Sequence, residues 1–142
     1  MNREDWVLLA IYFGQERGLS PVQLQKCLFL LGQEMGREVG YFYEFYPHNY
    51  GPFSKEVYSD AELLESRGMI AIERDPNSYA RYISTAVGQT RVRDVIAKQA
   101  PNRVQEYLAN IVDWAQKQSF ASLVRAIYDK YPQYRVNSVF QY

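Results

Sequence analysis

The stretch from Leu19 to Tyr58 constrains the fold more than any other, because it opens with a complete helix-start signal. Ser20 is an N-cap residue, Pro21 suits the first helical position, and Gln23 stands where it can close a capping box with Ser20. Leu19 and Leu24 occupy the two positions of a hydrophobic staple. Leu24, Cys27, Leu28, Leu31 and Met35 then share one helical face, and Phe29 and Leu30 add apolar surface on other sides. The pattern predicts a helix over about 21–35, buried nearly all round and stopping near Gly36. The run Tyr41-Phe42-Tyr43-Glu44-Phe45-Tyr46 has the composition of a strand. Pro47-His48-Asn49-Tyr50-Gly51-Pro52 reads as a turn into a helix capped at Ser54, with Phe53 and Tyr58 as its staple.

On either side of this stretch the periodicity is regular. Trp6, Leu9, Ala10 and Phe13 make the apolar stripe of a first helix over about 4–17, which Gly18 ends. The helix after Ser54 presents Val57, Ala61 and Leu64 and stops at Gly68. The period then changes. Residues 69–74 and 79–84 are short β-like runs on either side of Asp75-Pro76-Asn77-Ser78, which predicts a hairpin. Thr85 caps a helix over about 86–99, and a further helix opens at Pro101-Asn102 with Val104, Leu108, Ile111, Val112 and Ala115 on one face. The last begins at Ser119, gathers Phe120, Leu123, Val124, Ile127 and Tyr131, and ends at Pro132. The tail from Gln133 to Tyr142 is too apolar to be assumed disordered. The order helix, helix, strand, helix, hairpin, helix predicts one α+β, mainly α domain over residues 1–142: a winged-helix-like core with a C-terminal helical extension. The strand at 41–46 is expected to join the hairpin in a small three-stranded sheet.

Composition narrows the chemistry. At 142 residues one domain is the natural count, and 16 basic against 16 acidic side chains remove the easiest argument for nucleic acid. Thirteen tyrosines are the unusual number, and tyrosine suits interfaces as well as cores. One cysteine, Cys27 on the packed face of a helix, excludes an internal disulfide and a cysteine-based zinc cage. His48 is the only histidine, there is no Gly-rich phosphate loop, and no nucleophile–base pair can be argued. No catalytic, metal-binding or cofactor-binding residue is therefore expected, and an enzyme is not. The N-terminal apolar run is too short for a membrane span and lacks a small-residue cleavage site, so the cytoplasm is the expected compartment.

Leu24-Gln25-Lys26-Cys27-Leu28-Phe29 and Tyr50-Gly51-Pro52-Phe53-Ser54-Lys55-Glu56-Val57-Tyr58 carry a family resemblance. Here the chain resembles the Panacea antitoxin-domain family, which includes SocA-like phage-associated proteins, and is similar to YwgA-type bacterial proteins. The matching positions are Leu24, Gln25, Lys26, Tyr50, Gly51, Pro52, Glu56, Val57 and Tyr58, while Cys27 replaces a more usual leucine. The resemblance spans roughly residues 5–75 and implies a non-enzymatic protein-binding module, a toxin-neutralising antitoxin or an adaptor.

Two binding surfaces follow. The first is a rigid turn, Tyr46, His48, Asn49, Tyr50, Gly51 and Pro52, meeting a partner protein, with a purely structural turn as its competitor. The alternative is a winged-helix transcriptional regulator contacting DNA through Arg74, Arg81, Arg91 and Arg93. The third helix is poorly suited to phosphates, with Lys55 and Arg67 against Glu56, Asp60, Glu62 and Glu65. Homo-oligomerisation is left open.

Overall fold

Two helices with apolar side chains on almost every side leave the chain no choice but to wrap around them. In the computed structural model, which describes residues 1–141, every residue from Asp5 to Ile11 of α1 (Glu4–Phe13) is buried. So is every residue from Leu24 to Leu31 of α2 (Pro21–Val39). The capping box at the start of α2 forms as expected: the Ser20 N–H donates to Gln23 Oε1 at 2.8 Å, and the Gln23 N–H to Ser20 Oγ at 3.2 Å. Instead of stopping near Gly36, α2 continues to Val39 across a kink at Met35. Met35 and Val39, one helical turn apart and both buried, extend the apolar face past the glycine.

Where a first helix over 4–17 is expected, α1 ends at Phe13 and Gln15–Arg17 forms a separate 3-10 turn, with Gln15 at a φ of 54°. Next come β1 (Tyr46–His48), β2 (Gly51–Phe53), α3 (Lys55–Ser66), β3 (Ile70–Glu73) and β4 (Arg81–Ser84). After them come α4 (Ala86–Arg91), a π-helical segment (Val92–Ile96), α5 (Ala97–Gln99), α6 (Asn102–Gln116) and α7 (Phe120–Lys130). The fold is thus α+β and mainly α. The helix α6 lies along α2, while α3 and α6 both pack on α1. The expected helix over 86–99 is continuous, but its middle turn is π-helical. The tail adds a 3-10 turn, Pro132–Arg135, and packs on the β1–β2 turn, where the Val139 N–H donates to the Asn49 carbonyl at 2.9 Å. The tail expectation reached Tyr142, which lies outside the described residues.

The sheets differ from expectation. Residues 41–45 form no strand, and among the described residues there is no three-stranded sheet: β1 pairs with β2, and β3 with β4, both antiparallel. The aromatic run is held by its side chains instead of by a ladder. Phe42 meets Trp6 edge-on at 6.4 Å, Phe45 meets Phe29 at 5.6 Å, and the Tyr43 hydroxyl donates to Asp60 at 2.6 Å. Rings packed against three different elements hold the segment away from a shared register with the β3–β4 hairpin. The place beside β4 belongs to Leu19, which exchanges backbone hydrogen bonds with Tyr82 at 3.1 and 2.8 Å. That approach needs Gly18, whose φ of 67° is left-handed and where a Cβ would stand 2.6 Å from the Tyr82 carbonyl oxygen.

The core contains Trp6, Leu9, Leu24, Cys27, Leu28, Leu31, Val57 and Leu64, as the periodicity predicts, while Phe13 is only half-buried at its edge. Burial pushes the Cys27 thiol up to about 12, so it is an inert packing group at neutral pH. Among the described residues, no helix is long and apolar enough to cross a membrane. Leu28→Ala should cost about 2–5 kcal/mol in a urea-unfolding measurement, the usual range for a large-to-small change at a fully buried site.

Candidate functional site

A helix buried on all sides has a problem wherever its sequence is polar, and α2 is polar at Gln25 and Lys26. Both are buried, at 2% and 4% exposure. Their amide and ammonium groups must find partners, and each finds backbone of the segment leading into α3. Gln25 Nε2 donates to the Ser54 carbonyl at 2.8 Å, and the Ser54 N–H donates back to Gln25 Oε1 at 2.9 Å. Lys26 Nζ donates to the Pro52 carbonyl at 3.2 Å. Ser54 occupies the N-cap position of α3 as expected, but its side chain makes no cap; its hydroxyl turns to Glu56 at 3.2 Å.

These contacts explain the Tyr50-Gly51-Pro52 turn. Gly51 lies over α2, where a Cβ would be in ordinary contact with Lys26 Nζ at 3.7 Å but only 3.1 Å from the Tyr128 ring, and its φ of 102° excludes most side chains. Gly51 and Pro52 are therefore buried scaffold, not contact surface. The other four residues expected to bind are exposed: Tyr46 (44%), His48, Asn49 and Tyr50 (42%). Pairing of Tyr46 with Phe53 and of His48 with Gly51 places Tyr46 and His48 on one face of the hairpin. There they meet Phe53 at 5.8 and 4.9 Å, and Phe53 meets Tyr58 at 5.5 Å. Tyr50 sits apart, edge-on to Phe120 at 5.1 Å. The tail holds the other side of the turn through its backbone, with Asn137 Nδ2 donating to the Pro47 carbonyl at 3.3 Å.

Beside this aromatic face lies a cleft of about 240 Å³. Its buried wall includes Gln25, Lys26 and Gly51, and its exposed rim includes His48, Asn49 and Tyr50. Burial alone lowers Lys26 from the ordinary lysine value of 10.5 to about 7, because no carboxylate lies near enough to support the charge. Tyr58, on the same cleft, is pushed up to about 12 chiefly by burial and remains a neutral phenol at physiological pH. Sequence reasoning passed over Lys26 as a site residue, although a lysine inside a helix read as buried nearly all round was the available signal.

Of the four arginines expected to contact DNA, three are engaged with carboxylates of this chain. Arg74 pairs with Glu65 at 3.1 Å, and Arg81 pairs with Glu73 at 2.8 Å while also donating to the Glu16 and Arg17 carbonyls. Arg91 makes two 3.0 Å hydrogen bonds to the buried Asp5. Arg93 is exposed and donates to Thr90 at 3.3 Å. On the outer face of α3, Glu56, Glu62 and Leu63 are exposed beside Lys55. No group of three or more histidine, cysteine or carboxylate side chains gathers as a metal site among the described residues. Comparison with protein-family models finds no match, and comparison with curated proteins finds no significant one.

The displaced titration of Lys26 fixes the sign of a pH effect. Between about pH 7 and 10.5 the unfolded chain binds a proton at Lys26 that the folded chain does not, so this residue makes stability rise with pH across that window. Lys26→Met should remove this rise. Urea unfolding at a series of pH values should show the variant gaining on the wild type below pH 7, with the difference closing as pH increases.

Proposed function

We propose that this chain is a non-enzymatic, cytoplasmic protein-binding module, antitoxin-type or adaptor, as the resemblance to the Panacea family implies. The observation that carries the reading is the aromatic face of the β1–β2 hairpin. Tyr46 and His48 stand exposed on a short, doubly proline-bearing hairpin whose backbone is clamped by α2 on one side and the tail on the other. Rings presented on a stiff frame lose little conformational freedom on contact, and tyrosine is enriched among residues that dominate binding energy. Phe53 and Tyr58 extend the same surface.

The order of helix, single bridge at Leu19, two helices and hairpin supports a winged-helix reading of the core. Fold does not carry function, and the DNA-binding alternative has less behind it. Three of its four arginines are neutralised by carboxylates within the chain, and α3 offers an acidic face to a major groove.

Affinity purification followed by calorimetry on the recovered stoichiometric partner tests the reading. Tyr46→Ala and His48→Ala should each weaken binding by more than about 1 kcal/mol, roughly fivefold or more, with the unfolding midpoint nearly unchanged. Duplex DNA should bind at most in the non-specific range of about 10⁻⁴–10⁻⁶ M at physiological salt. Sequence-selective nanomolar binding to DNA, or alanine variants that lose stability and keep their partner, would overturn it.

A further inference from the structure

A buried ammonium that lacks a counter-ion is unusual enough to ask what it serves. Taking a charged amine out of water costs several kcal/mol, and a lone carbonyl returns only part of that. Lysines with no other task avoid the cost by extending to solvent, and the unbranched stem makes that easy. Lys26 does neither: its nitrogen makes one hydrogen bond, to Pro52, and it lies on the wall of an open cleft.

From this geometry we infer that the cleft over Lys26 is a carboxylate-binding site, receiving a carboxylate carried by a peptide segment of the partner protein. The inference deepens the protein-binding reading and rests on it for the identity of the partner. Three features select this class of ligand. Among the described residues no carboxylate lines the cleft, so an entering anion meets no like charge from them. Among the described lining residues Lys26, when protonated, supplies one positive charge, which matches one negative charge; a dianionic phosphate would leave one charge unbalanced in a confined space. Asn49 and the Tyr50 and Tyr58 hydroxyls are neutral donors on the walls, while Val22 and Phe53 give apolar surface for the chain bearing the carboxylate.

The titratable groups around Lys26 can be named element by element. From the β1–β2 turn come His48 and Tyr50, from α3 comes Tyr58, and from α7 comes Tyr128, whose ring stands over Gly51. Arg135 of the tail acts electrostatically on Tyr128. With Lys26 lowered to about 7 by burial, a bound carboxylate must draw its titration upward, and carboxylate affinity must fall as pH rises through and above that value.

The test follows the Lys26 ε-carbon resonance of the full chain, labelled in its lysines, as pH is varied with and without excess acetate. Acetate should move the Lys26 titration upward, and the affinity derived should fall about tenfold per pH unit above the free amine's own value. Three peptides then identify the source of the carboxylate: acetyl-tetra-alanine with a free C-terminus, its C-terminal amide, and an amide carrying one internal glutamate. Binding of the free acid assigns a chain terminus, and binding of the glutamate peptide assigns an acidic side chain. Either should weaken at least tenfold in Lys26→Met, the size of one lost charge-assisted hydrogen bond. A Lys26 titration indifferent to acetate, or a plain amide that binds as well as the acids, overturns the site. The two readings fail differently. Loss of the carboxylate site alone leaves a partner that senses Tyr46 and ignores Lys26; loss of the protein-binding reading alone leaves acetate at Lys26 and no partner on the hairpin.

Discussion

The structure depends on how one buried helix disposes of its two polar side chains. A helix packed on all sides can carry an amide and an ammonium only where neighbouring backbone has unpaired groups to offer. In α2 those side chains are consecutive, Gln25 and Lys26, and they take hold of Ser54 and Pro52, two residues apart. That pair of contacts fixes the path of the chain into α3, and with it the place where β2 crosses α2. At that crossing the chain takes a φ of 102° at position 51, with the Tyr128 ring 3.1 Å from where a Cβ would stand, which favours a residue without a side chain. Motifs that look unrelated in sequence, Gln-Lys in one helix and Gly-Pro in a later turn, are the two halves of one polar contact.

Much of this was legible beforehand, for local reasons. The capping box at Ser20 and Gln23, the staple of Phe53 on Tyr58 and the turn before Tyr79 are written within a few residues, and the chain obeys them. What misled was the aromatic run at 41–45. Its composition suits a pleated surface, but strand formation needs a free edge, and the one beside β4 is taken by Leu19, a single residue between Gly18 and an N-cap. No sequence rule announces that a helix-start segment will also serve as a strand partner. The site was legible only in part. Of the turn residues expected to meet a partner, Tyr46, His48, Asn49 and Tyr50 are exposed and Gly51 and Pro52 buried, while the burial of Lys26 was foreshadowed by its place in a helix read as buried nearly all round.

The wing shows the same limit for charge. Counting arginines along residues 74–93 suggests a basic surface, but Glu65, Glu73 and Asp5 come from α3, β3 and α1 to meet three of the four. Arg91 and Asp5 are 86 positions apart, so no window on the sequence could have paired them. The exposed ion pairs of Arg74 and Arg81 are screened by water and add little, while Asp5 is buried and losing Arg91 would strand its charge. Arg74, Arg81 and Arg91 thus tie neighbouring elements together.

Every clamp on the β1–β2 hairpin grips main-chain atoms. Lys26 holds the carbonyl of Pro52, Gln25 the amide and carbonyl of Ser54, Asn137 the carbonyl of Pro47, and Val139 the carbonyl of Asn49. None of these bonds involves the side chains of Tyr46, His48 or Asn49. Exchanging those residues would therefore disturb ring contacts with Phe53 but none of the backbone clamps, so the path of the hairpin does not depend on their identities. On the protein-binding reading proposed above, such a separation would let one scaffold change what it recognises by exchanging a few tip residues, because folding and recognition would act on different atoms of the same short segment.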